Sequence, residues 1–221
     1  MPSRIKVDFE LYDQSLGVLV KELIKVASTI YNQLLLETNR IGPISLVCGG
    51  QSPAYFALAM YNLSSYNDER VSIVILPHSK GGDKKYNPSE ISDYCSKLKA
   101  IGLQLRPVVY ILDTVHSGVG IQALENCLYH FQPSSSYRKI SINHPSAPPS
   151  IRVFYQYTAK ALPRLSDSFP RIVHRYHPFE YNTVLFKDHF INLEKNEYAA
   201  MIIEMASLEN MEESEWFKLN C

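Results

Sequence analysis

The segment from residue 108 to residue 124 holds the residue types best suited to chemistry in this chain. It reads VVYILDTVHSGVGIQAL, an apolar run followed by an aspartate, a histidine, a serine and two glycines. A glycine-containing turn that leads into a helix exposes several main-chain N–H groups, and the helix dipole behind them favours an anion. We therefore interpret this turn as a phosphate-binding site, to which the hydroxyl of Ser117 adds a donor.

Residues 108–121 resemble the phosphoribosyl-pyrophosphate-binding motif of type I phosphoribosyltransferases. In that motif an apolar strand is followed by two acids, two mostly apolar residues and a loop that contains Thr/Ser-Gly. Asp113 falls on the second acid, and Ser117 and Gly118 fall on the Thr-Gly pair. The first acid is replaced by Leu112. The resemblance therefore identifies the chain as a divergent member of this family.

The resemblance implies a function for each polar position of the segment. Asp113 would orient the ribose and would contact Mg²⁺, the expected cofactor. His116 stands where purine-type members often have an aspartate, and in a cleft it could act as a general base or contact the leaving group. The 5-phosphate would lie on Ser117, Gly118, Val119 and Gly120.

A second glycine turn, after the apolar run 44–48, resembles the pyrophosphate-binding loop of the same family. The loop that follows the next apolar run, PHSKGGDKKY, occupies the place of the family's mobile loop. The resemblance implies a pyrophosphate site formed by Gly49, Gly50, Gln51, Ser52 and Lys80.

Three functions are compatible with these residues. The first is transfer of ribose 5-phosphate to a nitrogenous acceptor, a pentosyl-transfer reaction. The second is a non-catalytic regulator or interaction protein that retains the phosphate site; Leu112 favours it, because a missing acid removes about 1–3 kcal/mol of charge-assisted hydrogen bonding. The third is an unrelated α/β hydrolase that uses Asp113 and His116, although the segment lacks the leading glycine of a nucleophile elbow.

The elements around these turns predict the fold. Apolar runs and helical patterns alternate from residue 44 to residue 143, and uninterrupted apolar strands are typical of a parallel sheet covered on both faces. The sequence predicts an α/β protein with an open, doubly wound, mainly parallel sheet, whose ligands bind at the carboxyl ends of the strands. We assign strands to 44–48, 71–76, 107–112 and 138–143, and helices to 15–39, 53–63, 87–102 and 119–131.

Two regions are predicted along the chain. Residues 1–150 form the α/β core with its N-terminal helix. Residues 151–221 form a C-terminal cap or hood within the same domain, with a strand at 151–157, an aromatic and basic stretch at 162–182 and helical structure at 196–219. The resemblance implies that base selection falls to this hood.

Composition restricts the partners. The chain has 221 residues, a formal net charge of zero and four cysteines without a CxxC spacing. A neutral chain has no global attraction to nucleic acid or to an anionic membrane, and no apolar run reaches the roughly 18 residues of a membrane span. We expect a cytoplasmic protein with reduced thiols that binds a small sugar phosphate or a nucleobase and neither nucleic acid nor membrane. The sequence is also compatible with a homodimer, since the helix at 15–39 could pack on another subunit.

Overall fold

The computed structural model describes residues 14–63, 69–76, 78, 86–100, 102–115, 118–143 and 155–158. These residues contain helices α1 (Gln14–Ile41), α2 (Gln51–Leu63), α3 (Pro88–Ala100) and α4 (Val119–Phe131), and strands β1 (Ile44–Gly49), β2 (Val71–Leu76), β3 (Val108–Val115), β4 (Ser136–Asn143) and β5 (Tyr155–Thr158). The stretches at 162–182 and 196–219 lie outside the described residues.

The described strands form one sheet in the order β2-β1-β3-β4-β5, and every neighbouring pair is parallel. Helices α1 and α2 cover one face with a core that includes Leu46, Tyr110 and Leu112. Helices α3 and α4 cover the other face with a core that includes Val47 and Ile111. This arrangement confirms the predicted α/β class and the doubly wound sheet. The sheet continues past residue 150, because β5 pairs with β4.

The helix assigned to 87–102 spans Pro88–Ala100, so that Asn87 precedes its first residue and Gly102 lies just beyond its end. The side chain of Asn87 accepts a hydrogen bond from the Glu90 amide at 2.9 Å, and the Glu90 carboxylate accepts one from the Asn87 amide at 2.7 Å. This reciprocal capping box satisfies two amides that the first turn leaves without a helical partner. At the other end, Gly102 takes a left-handed φ of 69° and its amide donates to the carbonyl of Lys99.

A buried polar cluster fixes α1 on the sheet near the amino ends of the strands. The Glu37 carboxylate is almost inaccessible and accepts hydrogen bonds from the Tyr110 hydroxyl at 3.2 Å and from Arg138 at 3.3 Å. Arg138 also donates to the Tyr110 hydroxyl at 2.7 Å. Because a buried carboxylate is costly unless it is paired, this cluster specifies how the C-terminal part of α1 meets β3 and β4.

Two strand assignments need correction. The apolar run at 71–76 predicts a buried strand covered on both faces, but β2 lies at the sheet edge and its four central residues are half-buried. An edge strand has only one neighbour, so apolar composition alone overstates its burial. The strand expected to end at residue 112 continues to Val115, because β4 pairs with it that far. Asp113 therefore lies inside β3 and is not the first residue after it.

None of the helices in the described part of the chain has the length and apolar character needed to span a bilayer.

Candidate functional site at the carboxyl edge of the sheet

The two glycine turns flank the same gap in the sheet. From β1 the chain crosses to β2 on one side, whereas from β3 it crosses to β4 on the other side. The connections therefore diverge between β1 and β3, and the carboxyl ends of two such strands border the crevice in which open α/β sheets bind ligands. Gly50 follows β1, and Gly118 lies between β3 and α4. In the sequence these turns belong to separate loops. The strand order brings both of them to the gap between β1 and β3.

The turn before α4 has the backbone of an open helix N-terminus. Gly118 is the N-cap residue and has φ 79° and ψ −4°, a left-handed conformation that favours glycine. As a glycine, this N-cap residue gives the helix no side-chain cap, and the first turn of α4 contains no acidic residue. Val119 and Gly120 begin the helix, while His116 and Ser117 lie outside the described residues.

Asp113 lies beside this turn on the face of the sheet that α4 covers. A Cβ added to Gly120 would be 3.1 Å from Oδ2 of Asp113, so a side chain at position 120 would crowd the carboxylate. The pairing of β3 with β1 ends at Leu112, whereas its pairing with β4 continues beyond Asp113. On the β1 side, Asp113 is therefore at the carboxyl edge as expected.

The charge of Asp113 also affects the pKa of Cys48, near the end of β1. Burial raises the pKa of the Cys48 thiol far above its usual range, and the negative charge of Asp113 raises this pKa further. Cys48 is a free, buried thiol, and so are Cys95 and Cys127. At neutral pH the thiol at the end of β1 is therefore protonated, and it is not a nucleophile.

Close packing requires glycine both at Gly49, the last residue of β1, and at Gly50, which follows it. Gly50 has φ 87°, and a Cβ on it would lie 2.5 Å from the carbonyl oxygen of His78. A Cβ on Gly49 would overlap Cδ2 of Leu124 in α4. The amide of Gly50 donates to the carbonyl of Leu76 at 3.0 Å, so this amide continues the β1–β2 ladder. The next two amides, of Gln51 and Ser52, belong to the first two residues of helix α2.

His78 also lies at this edge, and it is not among the site residues predicted from the sequence. His78 follows β2 and is 7% exposed. Its Nε2 lies 3.0 Å from the carbonyl oxygen of Gly120, and its Nδ1 lies 3.0 Å from the hydroxyl of Tyr86. The sequence indicates its position but not its contacts, because a polar residue just after a parallel strand lies at the ligand-binding edge. In the loop PHSKGGDKKY the sequence indicates Lys80 as the candidate residue, and Lys80 lies outside the described residues.

Two buried residues adjoin Asp113: Leu112, which precedes it in β3, and Ser141 on the neighbouring strand β4. Leu112 is fully buried in the core under α1 and α2. Ser141 of β4 is the register partner of Asp113 and is fully buried, and its hydroxyl has no hydrogen-bond partner among the described residues. Within that same part of the chain, no group of three His, Cys, Asp or Glu side chains is arranged to hold a metal ion.

The described residues thus define an open parallel α/β protein with two glycine turns at the switch between β1 and β3. No protein-family model matches the chain. No curated protein matches it at a significant level.

Solved structures similar to this chain include hypoxanthine phosphoribosyltransferases. The enzyme of Staphylococcus aureus is 17% identical, with 63% of this chain and 73% of that chain covered and a TM-score of 0.37. The Trypanosoma cruzi hypoxanthine phosphoribosyltransferase is 12% identical, with 71% of this chain and 80% of that chain covered and a TM-score of 0.39. The Helicobacter pylori xanthine-guanine-hypoxanthine phosphoribosyltransferase is 12% identical, with 64% of this chain and 82% of that chain covered and a TM-score of 0.36. At these values the likeness carries nothing about the ligands or the activity of this chain.

Proposed function

We propose that this chain binds phosphoribosyl pyrophosphate, or a related sugar phosphate, in the crevice between the carboxyl ends of β1 and β3. The observation that carries the proposal is the convergence of both glycine turns on this switch point. Open parallel sheets bind ligands there, and helix N-termini at the edge favour phosphate groups. The reaction proposed is transfer of ribose 5-phosphate to a nitrogenous acceptor.

The turn before α4 would bind the 5-phosphate. Its donors would be the amides of Gly118, Val119 and Gly120, together with the Ser117 hydroxyl. The left-handed Gly118 supports this role, and as a glycine it gives α4 no side-chain cap, because the first amides of a helix have no intrahelical acceptor and are suited to a phosphate.

The loop after β1 would bind the pyrophosphate. Since the Gly50 amide is engaged by Leu76, the donors proposed here are the amides of Gln51 and Ser52, at the N-terminus of α2. Gly49 and Gly50 would serve by allowing the close approach of the chain segments, and Lys80 would add a positive charge.

Asp113 would orient the ribose hydroxyls and contact Mg²⁺. A single carboxylate suits this ion, because Mg²⁺ is commonly held by one or two carboxylates together with substrate phosphates and water. The ion would neutralise charge on the departing pyrophosphate.

In the proposed reaction the bond between the anomeric carbon and the pyrophosphate oxygen breaks, and its electron pair leaves with pyrophosphate. The acceptor nitrogen forms the new bond to that carbon and releases its proton, for which His116 is the proposed base. The protein contributes by holding the two reactants in line and by stabilising the leaving charge.

A non-catalytic, ligand-binding protein is the second candidate. The buried position of Leu112 favours it, because this position faces the core under α1 and α2 and supplies no second carboxylate to the ribose. Binding without pyrophosphate release would identify this function. The hydrolase alternative has no supporting observation in the described residues.

Isothermal titration calorimetry with phosphoribosyl pyrophosphate, with and without Mg²⁺, tests the binding. We expect Mg²⁺-dependent binding that is lost in Ser117→Tyr and weakened about 10- to 100-fold in Asp113→Asn, which removes a charge-assisted hydrogen bond. Asp93→Asn is the matched control, since Asp93 lies on α3 and pairs with Lys97. Release of pyrophosphate with a panel of nucleobases then separates transfer from binding alone. Absence of binding by the wild-type chain would refute the proposal.

A further inference from the structure

His78 contacts the segments that follow two different strands. Its carbonyl oxygen packs against Gly50, and its side chain lies 3.5 to 3.6 Å from the position of a Cβ on Gly49. Its ring reaches the first turn of α4, where Nε2 is 3.0 Å from the carbonyl oxygen of Gly120. One buried residue therefore joins the loop after β1 to the turn after β3.

The hydrogen-bond partners fix the tautomer of the ring. A carbonyl oxygen only accepts, so Nε2 of His78 carries a hydrogen and donates it to Gly120. In the neutral ring Nδ1 then accepts from the Tyr86 hydroxyl, 3.0 Å away. Tyr86 also contacts the ring edge-on, with ring centroids 5.6 Å apart. The Tyr86 contact therefore holds the imidazole in the tautomer and orientation that Gly120 requires.

We propose that His78 is a positioning residue that sets the phosphate turn before α4 at a fixed distance and orientation from the loop after β1. This inference rests on the proposed function, in which the turn binds the 5-phosphate and the loop binds the pyrophosphate. A ligand that carries both groups binds well only if its two sites are correctly spaced, whereas a ligand with one of the groups does not sense the spacing.

The spacing requirement distinguishes positioning from a purely structural role. A histidine that served only to fill the core would, when replaced, change the binding of all ligands to a similar extent. A positioning histidine affects mainly the ligand that spans both sites. Three probes make the comparison: phosphoribosyl pyrophosphate, ribose 5-phosphate and inorganic pyrophosphate, each with Mg²⁺.

The variants are His78→Leu, which fills a similar volume without a donor, and His78→Gln, whose side-chain amide can donate to Gly120 in place of Nε2. By calorimetry we expect His78→Leu to bind phosphoribosyl pyrophosphate about tenfold more weakly, the effect of one lost hydrogen bond. Binding of the two single-ended probes should change by less than about threefold. His78→Gln should restore binding of all three. Equal weakening of all three probes in His78→Leu, or no weakening at all, would overturn the inference.

Hydrogen exchange provides a readout that needs no ligand. The Gln122 amide donates to the carbonyl of Gly118 at 3.2 Å and so reports on the first turn of α4. Its exchange should be faster in His78→Leu than in the wild type and unchanged in His78→Gln. If the wild-type chain binds none of the three probes, the proposed function fails, and this exchange rate still decides whether His78 holds the turn. Equal exchange in all three proteins would refute the role of His78.

Discussion

Leu112 and Asp113 are adjacent in β3 and lie on opposite faces of the sheet. Leu112 is fully buried under α1 and α2, whereas Oδ2 of Asp113 lies close to the first turn of α4. Successive side chains of a strand alternate between faces, so the separation follows from the backbone. Leu112, which stands at the position of the first acid in the phosphoribosyltransferase motif that the sequence resembles, is therefore part of the core packing.

This relationship predicts that a single substitution cannot introduce an acid at position 112 without a loss of stability. Leu112→Asp would place an unpaired carboxylate in an apolar core, and we expect the free energy of unfolding to fall by at least about 3 kcal/mol. Leu112→Met, which keeps the volume, should cost less than about 1.5 kcal/mol. Urea denaturation measures both values. A Leu112→Asp protein as stable as the wild type would show that position 112 reaches solvent.

The close approach of His78 to Gly50 predicts a different sensitivity for two glycines with positive φ. Gly50→Ala combines left-handed strain with overlap of the His78 carbonyl oxygen, and should cost about 2–4 kcal/mol. Gly102 has φ 69° and no atom within 4 Å of an added Cβ, so Gly102→Ala carries the strain alone, about 1–2 kcal/mol. Thermal and urea unfolding of the two variants gives the comparison. Equal losses would mean that the loop after β1 moves away from His78 at no cost.

The titratable core predicts loss of stability at alkaline pH. Burial raises the pKa of Tyr110 to about 12 and that of Tyr137 to about 12, and it also raises the pKa of Cys48. For each group the folded protein retains a proton that the unfolded chain releases, near pH 9 for a thiol and near pH 10 for a phenol. The stabilisation is thus complete below these values and is lost as the pH rises toward the folded pKa.

Urea denaturation at pH 8 to 11 measures this dependence. We expect the free energy of unfolding to be nearly constant to about pH 9 and then to fall. Tyr137→Phe removes one of the groups and should have a shallower slope above pH 10, although it also loses the hydrogen bonds of the hydroxyl to the carbonyls of Leu128 and Gln132. A slope that is the same in Tyr137→Phe and in the wild type would contradict the assignment of this tyrosine.

Much of the fold could be predicted because its signals are local. The boundaries of α4 follow from glycine and helical periodicity, and the start of α3 follows from Asn87 and Glu90, which contact each other within one turn. The end of β3 could not be predicted in this way, because its last residues are strand only through pairing with β4. The edge position of β2 depends on the strand order, which is likewise non-local.

The same distinction applies to the candidate site. The glycine turns are visible in the sequence, since a left-handed residue such as Gly118 requires a specific residue type. The contact between His78 and Gly120 spans 42 positions in the chain and has no sequence signature of its own. The hydrogen bond of the Gly50 amide to Leu76 also depends on the neighbouring strand, so the sequence alone does not show that this amide is already engaged.

Two buried serines predict opposite effects of the same substitution. Ser45 and Ser141 are both fully buried in the sheet. The Ser45 hydroxyl accepts a hydrogen bond from the Arg106 amide at 2.9 Å, whereas the Ser141 hydroxyl has no partner among the described residues. Ser45→Ala should therefore destabilise the protein by about 1 kcal/mol, and Ser141→Ala should stabilise it by roughly the same amount.

Urea unfolding of the two alanine variants tests this difference. A buried polar group without a hydrogen-bond partner destabilises the fold. The presence of the Ser141 hydroxyl next to Asp113 is explained if this hydroxyl acts when ligand is bound. If so, Ser141→Ala should be more stable than the wild type and should also bind phosphoribosyl pyrophosphate more weakly, while Ser45→Ala should bind it normally. A Ser141→Ala protein that is destabilised as much as Ser45→Ala would show that the Ser141 hydroxyl already has a partner within the fold.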